Sequence, residues 1–349
     1  MSPTYQIIDQ YNLTISFLIT LAWQMLGFAI AWTFKFDKVT DFTGGSNFFI
    51  LALITLTTGG TYTARNIVAS VLTMLWAARL AGFLLFRVLK TGSDTRFDDI
   101  RNHFFKFAGF WVGQIVWVWV VSLPVVILNS PAVSSPFRSG DPSFGKATDI
   151  IGIILFAIGL FWEAVGDIQK YMFKSSKPPK GKPCTKGLWY FSRHPPYFGE
   201  ITLHWGLWLL CLTPTTNGAL PKSAKSAQYA AILSPLFTMV LLLFASGLPT
   251  AEKPTAKKYF LMSYPSSSNS TSAGERGFSL PEAENDTWSN YKSYLKRTSI
   301  VIPFPPSLYA RFPEWLKRSL LLDLPMFRFD EYKDGREAWE EERRKRGSA

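Results

Sequence analysis

The stretch IIGIILFAIGLFWEAVGDIQKYMF, residues 150–173, decides what kind of protein this is. Its first half is apolar on every side, and its second half introduces Glu163, Asp167 and Lys170 without a break in the hydrophobic run. A bilayer core about 30 Å thick needs roughly 20 predominantly apolar residues per helix, which this stretch supplies. Working outward, comparable blocks run from Leu13 to Phe34, Phe48 to Thr58, Ile67 to Leu89, Phe107 to Leu128, Tyr197 to Leu212 and Tyr229 to Leu248. With 48 % hydrophobic and only 18 % charged residues among 349, the expected fold class is all-α: a polytopic transmembrane bundle of about seven spans. The second and sixth blocks are the shortest.

The net charge of +12 does not point to nucleic acid, because the cations sit at helix ends rather than along one soluble face. Arg87, Lys90, Arg96, Arg101 and Lys106 follow the third block; Lys170, Lys174, Lys177, Lys180, Lys182, Lys186 and Arg193 follow the fifth; Lys253, Lys257 and Lys258 follow the seventh. The opposite loops hold Arg138 and Lys146, and Lys222 and Lys225. The positive-inside rule therefore predicts that the basic loops and the C-terminus are cytosolic and the N-terminus lumenal. The default expectation for the membrane is the endoplasmic reticulum. The first block lacks a positive flank and a small-residue cleavage site, so it reads as a retained helix. Cys184 and Cys211, in a loop and a span, do not predict a disulfide. Nor is a metal site expected. The sequons at Asn269 and Asn285 fall on the expected cytosolic side and should be unmodified.

Residues 263–287, rich in Ser, Pro, Gly and Glu, read as a flexible insertion. Trp288 to Thr298 has helical spacing. Arg311 to Leu324 alternates Phe312, Trp315, Leu316 and Leu320 with Lys317 and Arg318, the pattern of a helix lying on a membrane surface. The densely charged residues 330–346 read as a solvated tail. These divisions give a first transmembrane helix and loop at 1–46, a membrane domain at 47–306, and an interfacial helix with a charged cytosolic tail at 307–349.

Two constellations carry chemistry. Glu163, Asp167, Lys170 and Lys174 are spaced 4, 3 and 4 apart, which places them on one face of a helix. Ionisable groups in a span are costly and face a cavity or a partner. The second is GLWYFSRHPPYFGE, residues 187–200: Ser192 can cap a helix whose first turn holds Pro195 and Pro196. Arg193 and His194 then stand at its mouth, where an anion meets donors and the helix dipole. Tyr197, Glu200 and His204 share one face behind them. Arg79, deep in the third block, calls for an acid such as Glu163 or Asp167, or for a ligand. Residues 140–147 have Walker A spacing, but Ala147 replaces the Ser/Thr and no strand precedes the loop. A Rossmann fingerprint is absent from the sequence.

On these residues the chain resembles the uncharacterised membrane family related to the C-terminal domain of steroid 5-alpha-reductases and, more distantly, the isoprenylcysteine carboxyl methyltransferases. The matching pieces are WAARLAGFLLFR at 76–87, FWEAVGDIQK at 161–170, Gly187-Leu188-Trp189, Ser192-Arg193-His194-Pro195, Tyr197-Phe198-Gly199-Glu200, Tyr291, Tyr294, Arg297-Thr298-Ser299 and Ile302-Pro303. The resemblance implies a helical membrane reductase that holds NADPH at the cytosolic end of the bundle. By that resemblance Asp167 contacts the cofactor, Lys174 lies near its phosphates and Glu200 sits beside the nicotinamide. Two residues depart from the pattern: Glu163 stands where the steroid reductases carry Asn, and Pro196 where most relatives carry Asn.

The resulting expectation is an NADPH-dependent reductase of a lipophilic unsaturated substrate, sterol-like or a fatty enone. Lys170, Lys174, Arg193, His194 and Arg297 would meet the phosphates; Glu163 and Asp167 would accept hydrogen bonds from the ribose or carboxamide; Tyr197, tuned by Glu200, would supply the acid. The alternatives are an S-adenosylmethionine-dependent membrane methyltransferase, which shares Arg193-His194-Pro195 but carries paired glutamates where this chain reads Ala251-Glu252-Lys253-Pro254, and a non-catalytic lipid-binding membrane protein.

Overall fold

A computed structural model describes residues 9–35, 39–91, 100, 102–134, 141–264 and 283–347. The regular structure among them is helical, apart from one isolated bridge between Ser192 and Ser299. In order the helices are α1 (Leu13–Phe34), α2 (Val39–Gly59), α3 (Ala64–Thr91), α4 (Phe104–Leu128), α5 (Ala147–Ser175), α6 (Pro195–Cys211), α7 (Thr213–Asn217), α8 (Lys222–Ala230), α9 (Leu233–Val240), α10 (Leu248–Ser263), α11 (Thr287–Arg297), α12 (Pro306–Tyr309), α13 (Glu314–Arg318) and α14 (Asp334–Gly347). Among the described residues six segments are long and apolar enough to cross a membrane: α1 to α5 and the run Lys222–Ser263. The sixth block becomes α6, 17 residues long and shorter than the others. The seventh is not one helix: α9 passes into a π-turn over Leu241–Ala245 before Gly247 starts α10. The second block begins earlier than its apolar core, at Val39, with Asp41 in its first turn.

The chain divides into two units, Met1–Leu160 with Ile201–Met239, and Phe161–Glu200 with Val240–Ala349. The first unit is inside-out by the standards of a water-soluble protein. Helix α1 buries Ser16, Thr20, Gln24, Gly27 and Ala31 while Phe17, Leu18, Met25, Leu26 and Ile30 are exposed. Lipid tails are as apolar as leucine, so small and polar residues that pack and hydrogen-bond belong at the helix interfaces. They do so here. Gln24 donates to Asn47 Oδ1 at 3.0 Å, and Gln114 donates to Gln24 Oε1 at 2.8 Å and to the Thr40 carbonyl at 3.1 Å, joining α1, α2 and α4. Asn66 of α3 donates to Asn129 Oδ1 at 2.9 Å. Gly152 and Gly206 bring α5 and α6 so close that a Cβ on Gly152 would lie 2.7 Å from the Gly206 carbonyl oxygen.

Arg65 and Asp149 form a buried bidentate pair, Nε–Oδ1 2.9 Å and Nη2–Oδ2 3.0 Å. The same carboxylate takes the Gly145 and Lys146 backbone N–H groups at 3.0 Å each. The donors that a phosphate would need in the Walker-like loop are thus committed to Asp149; Gly140, at its start, lies outside the described residues. His204 has an apolar setting. It is 1 % exposed in the first unit, packed edge-on against Trp76 with ring centroids 4.7 Å apart. Arg79 places its guanidinium 5.5 Å from the Phe83 ring.

The second unit centres on α10 and α11, with Phe260, Trp288, Tyr291 and Tyr294 buried between them. The C-terminal segment differs from its expected form. Instead of one surface helix over Arg311–Leu324, α13 ends at Arg318 and Leu322 adopts a positive φ of 63°. The charged tail is helical rather than simply solvated: α14 buries Ala338 and Trp339, and Lys253 pairs with Asp334 at 3.0 Å while Lys257 pairs with Glu341. A charged sequence can dock when its few small and apolar residues share a face, as the buried Gly335, Ala338 and Trp339 do at i, i+3 and i+4. Of the expected insertion and sequons, residues 265–282 with Asn269 lie outside the described residues, as do Arg96, Arg101 and Arg138. Asn285 donates its amide nitrogen to the Met262 carbonyl at 2.8 Å.

Candidate functional site

The second unit builds its site from a turn upward. A single 3-10 turn, Gly187–Tyr190, is docked on α5: Gln169 Oε1 accepts from the Leu188 N–H at 2.8 Å, and the Trp189 indole donates to the Gly166 carbonyl at 2.9 Å. Gly187 has φ +62°, and a Cβ there would lie 2.3 Å from the Gln169 amide nitrogen, so both its conformation and its contact demand glycine. The chain then pairs with a distant segment. Arg193 donates its backbone N–H to the Ser299 carbonyl at 2.8 Å, and Ser192 Oγ donates to the Val301 carbonyl at 2.8 Å while accepting from the His194 N–H at 3.1 Å. Ser192 therefore does cap the turn into α6, and also locks it to residues 299–301. Pro195 and Pro196 open the helix, where a missing N–H costs nothing. Pro196 faces Gly166 of α5; a Cβ on that glycine would lie 3.1 Å from its ring carbons.

This frame delivers Arg193 and His194 onto Glu252 of α10. His194 Nε2 lies 2.6 Å from Glu252 Oε1, and the Arg193 guanidinium donates to the other carboxylate oxygen. Arg193 also lies 3.0 Å from Asp323 Oδ1, a charge contact without hydrogen-bond alignment. Burial works against the charge of Arg193, yet Glu252 and Asp323 hold its pKa above the ordinary arginine range. The guanidinium is thus fixed as a cation between two carboxylates, and its Nε remains buried without a partner. The His194 ring stacks on Tyr197, centroids 4.9 Å apart and 5° from parallel.

A cavity of about 320 Å³ opens beside this cluster. Its wall includes Lys170 and Lys174 of α5, Arg193, His194, Tyr197 and Glu252, with Tyr259, Tyr291 and Tyr294 behind them. Tyr259 and Tyr291 are stacked at 4.2 Å. Desolvation raises the phenols of Tyr291 and Tyr294 well above their ordinary range, so both stay neutral donors. Among the described residues Glu252 is the one carboxylate on this wall, and it is already engaged. Among the described residues neither lysine pairs with a carboxylate; Lys170 Nζ instead rests 4.1 Å over the Trp189 ring. The cavity is positive.

The structure gathers Lys170, Lys174, Arg193, His194 and Tyr197 from the residues singled out in the sequence. Glu163 is buried, and Asp167 and Glu200 are half-buried, away from this wall. Arg297 is exposed at the end of α11 and does not line the cavity. Sequence reasoning missed Glu252, Asp323 and Tyr259. Glu252 has a local signal in Ala251-Glu252-Lys253-Pro254, a carboxylate that follows an apolar run. Asp323 had no local signal at all.

No solved structure matches the chain. A stretch of 73 residues is 48 % identical to a protein named probable O-methyltransferase ustE of Ustilaginoidea virens, covering 21 % of this chain and 26 % of that protein. The chain thus aligns with about a quarter of that relative's length. A family described as protein of unknown function (DUF1295) matches residues 27–271, and the chain belongs to that family.

Proposed function

We propose that this multi-pass membrane protein is an NADPH-dependent reductase of a lipophilic unsaturated substrate, sterol-like or a fatty enone, with its basic loops on the cytosolic side of the endoplasmic reticulum membrane. The observation that carries the reading is the pair of unpaired lysines, Lys170 and Lys174, on a cavity whose single carboxylate is already engaged. Such a wall favours an anion, and charge-assisted hydrogen bonds to phosphate are among the strong ones.

Bound there, NADPH would supply a hydride. Lys170 and Lys174 would hold its phosphates, and the tyrosine rings would pack against its flat groups. Tyr197, which stacks with His194, would donate a proton to the oxyanion that develops on an enone, and Glu252, 2.6 Å from His194 Nε2, would steady that ring. Asp167, Glu163, Glu200 and Arg297 would act outside this cavity if they contact the cofactor. Pro196 takes no part in binding on this reading, since its ring is occupied with Gly166.

A second reading, an S-adenosylmethionine-dependent methyltransferase, draws on the name of the partial relative and on the tyrosine rings, whose faces attract a sulfonium cation. Two free lysines on the wall repel that cation. The test is thermal stability of the purified protein titrated separately with NADPH and S-adenosylmethionine. A ligand of the native state present at 100 times its Kd stabilises by about 2.7 kcal/mol. A shift with NADPH alone is expected; a shift with S-adenosylmethionine alone would overturn the reductase in favour of the methyltransferase, and a shift with neither would favour a non-catalytic lipid-binding protein.

A further inference from the structure

A second cavity, about 360 Å³, lies in the same unit on the other side of the Arg193–Glu252 pair, enclosed by α10, α11 and the C-terminal segment. Its wall differs in kind from the tyrosine-lined one. Four carboxylates line it, and each is already held by a cation: Glu252 and Asp323 by Arg193, Glu314 by Arg328, and Glu331 by Lys292. Six cations line it too; Arg318 shares Glu314 with Arg328, which leaves Lys296 without a carboxylate and Lys317 with only a distant one. Lys296 is exposed and makes no ion pair among the described residues. Lys317 is the more telling, because its side chain is only 7 % exposed and faces a Glu314 oxygen 3.8 Å away, beyond hydrogen-bond reach.

A buried ammonium without a hydrogen bond is expensive. Two further donors on the same wall share its condition. The Trp288 indole N–H is buried without a partner, and so is Arg193 Nε. Three buried donors, a surplus of positive charge and no uncommitted carboxylate describe a site awaiting an anion with several acceptor oxygens.

We propose that this cavity is a second anion site, separate from the one assigned to NADPH, and that it takes a phosphate monoester. Lys317 and Trp288 hold the phosphate oxygens, and Lys296 stands at the mouth. The phosphate can come from a membrane lipid headgroup or from a soluble ester. Exposed Trp315 and Leu320, adjoining the cavity-lining Glu314, Lys317 and Arg318, suit the first source, since aromatic and aliphatic side chains beside cations favour a lipid surface. The proposal stands independently of the reductase reading, because neither Lys170 nor Lys174 takes part in it.

The test uses the full chain in phosphatidylcholine nanodiscs, titrated calorimetrically with inorganic phosphate at constant ionic strength, and a second preparation containing phosphatidic acid. Saturable phosphate binding is expected, weakened at least tenfold in the Lys296→Gln/Lys317→Gln double variant and undiminished in the exposed-surface control Lys222→Gln. Trp288→Phe, which keeps the ring and removes the N–H, serves as a second variant and should weaken binding without loss of thermal stability. Loss of phosphate uptake in phosphatidic acid nanodiscs would assign the lipid headgroup as the source; retention would assign a soluble ester. Absence of saturable binding in phosphatidylcholine nanodiscs, or equal affinity in the double variant, would overturn the proposal. NADPH affinity should be the same in the double variant as in the parent protein, so failure of either site is read separately.

Discussion

Removing Glu252 should destabilise the second unit more than removing any exposed acid, and the structure allows the loss to be sized. Glu252→Ala leaves Arg193 buried with Asp323 alone, and leaves His194 without the acceptor at 2.6 Å. Breaking a buried ion pair from one side costs about 3–5 kcal/mol, because the survivor remains a desolvated charge. Asp323 still compensates part of that charge, so about 3 kcal/mol is expected. For a unit of 150 to 250 residues, each kcal/mol moves Tm by roughly 2–4 °C, giving a fall of about 6–12 °C. The decisive measurement is the double variant Glu252→Ala/Arg193→Met, followed by intrinsic tryptophan fluorescence on heating. With the cation gone as well, little is left uncompensated on that side, and the double variant should melt above Glu252→Ala. A Glu252→Ala protein within 1 °C of the parent, or a double variant that falls by the sum of the two single losses, would refute the account of Arg193 as a buried cation clamped between carboxylates.

Three other outcomes follow from the same contacts. Lys170→Gln and Lys174→Gln should each weaken NADPH binding by roughly tenfold, the low end for a hydrogen bond to a charged group, while leaving S-adenosylmethionine binding unimpaired; unchanged NADPH affinity in both variants would remove the phosphate role. Gly187→Ala should lower thermal stability by about 1–2 kcal/mol from its left-handed backbone alone, with more from displacing Gln169, and a neutral result would contradict the docked turn. The hydrogen bond from Lys257, then that from Lys345, lowers the Glu341 carboxyl to about 2. A depressed carboxylate adds stability above its unfolded pKa and loses it as pH falls from about 4.5 through 2. Because the side chain is half exposed, screening holds this to less than about 1 kcal/mol, and Glu341→Gln should flatten the acid limb of the stability profile only slightly.

The membrane bundle was legible in the sequence because span length and charge placement are local properties. Each apolar block declares itself within its own 20 residues, and α1 to α5 appear where those blocks lie. The run from Tyr229 was legible as apolar but not as interrupted, since a π-turn ahead of Gly247 leaves no mark on hydropathy. At the site, Lys170, Lys174, Arg193, His194 and Tyr197 were found because helical spacing and a proline-marked helix start bring them together within short stretches. Glu252 and Asp323 meet Arg193 across 59 and 130 residues of chain, and neither periodicity nor motif spacing reports such pairings. The same limit explains the tail. Its charge density reads as solvent-loving, and only the placement of Ala338 and Trp339 against α10 turns it into part of a packed unit.

The segment joining α10 to α11 has its two ends pinned together. Ser263 Oγ donates to Asn285 at 3.0 Å and accepts the Trp288 N–H at 2.8 Å, while the Asn285 amide returns a bond to Met262. The folded unit thus already holds both ends of whatever chain runs between those anchors. Its length enters the free energy only through the logarithm of the residue number, about 0.6 kcal/mol for each doubling. The junction is therefore a natural port: an epitope or a fluorescent domain placed between residues 265 and 282 should leave Arg193, Glu252 and both cavities as they stand.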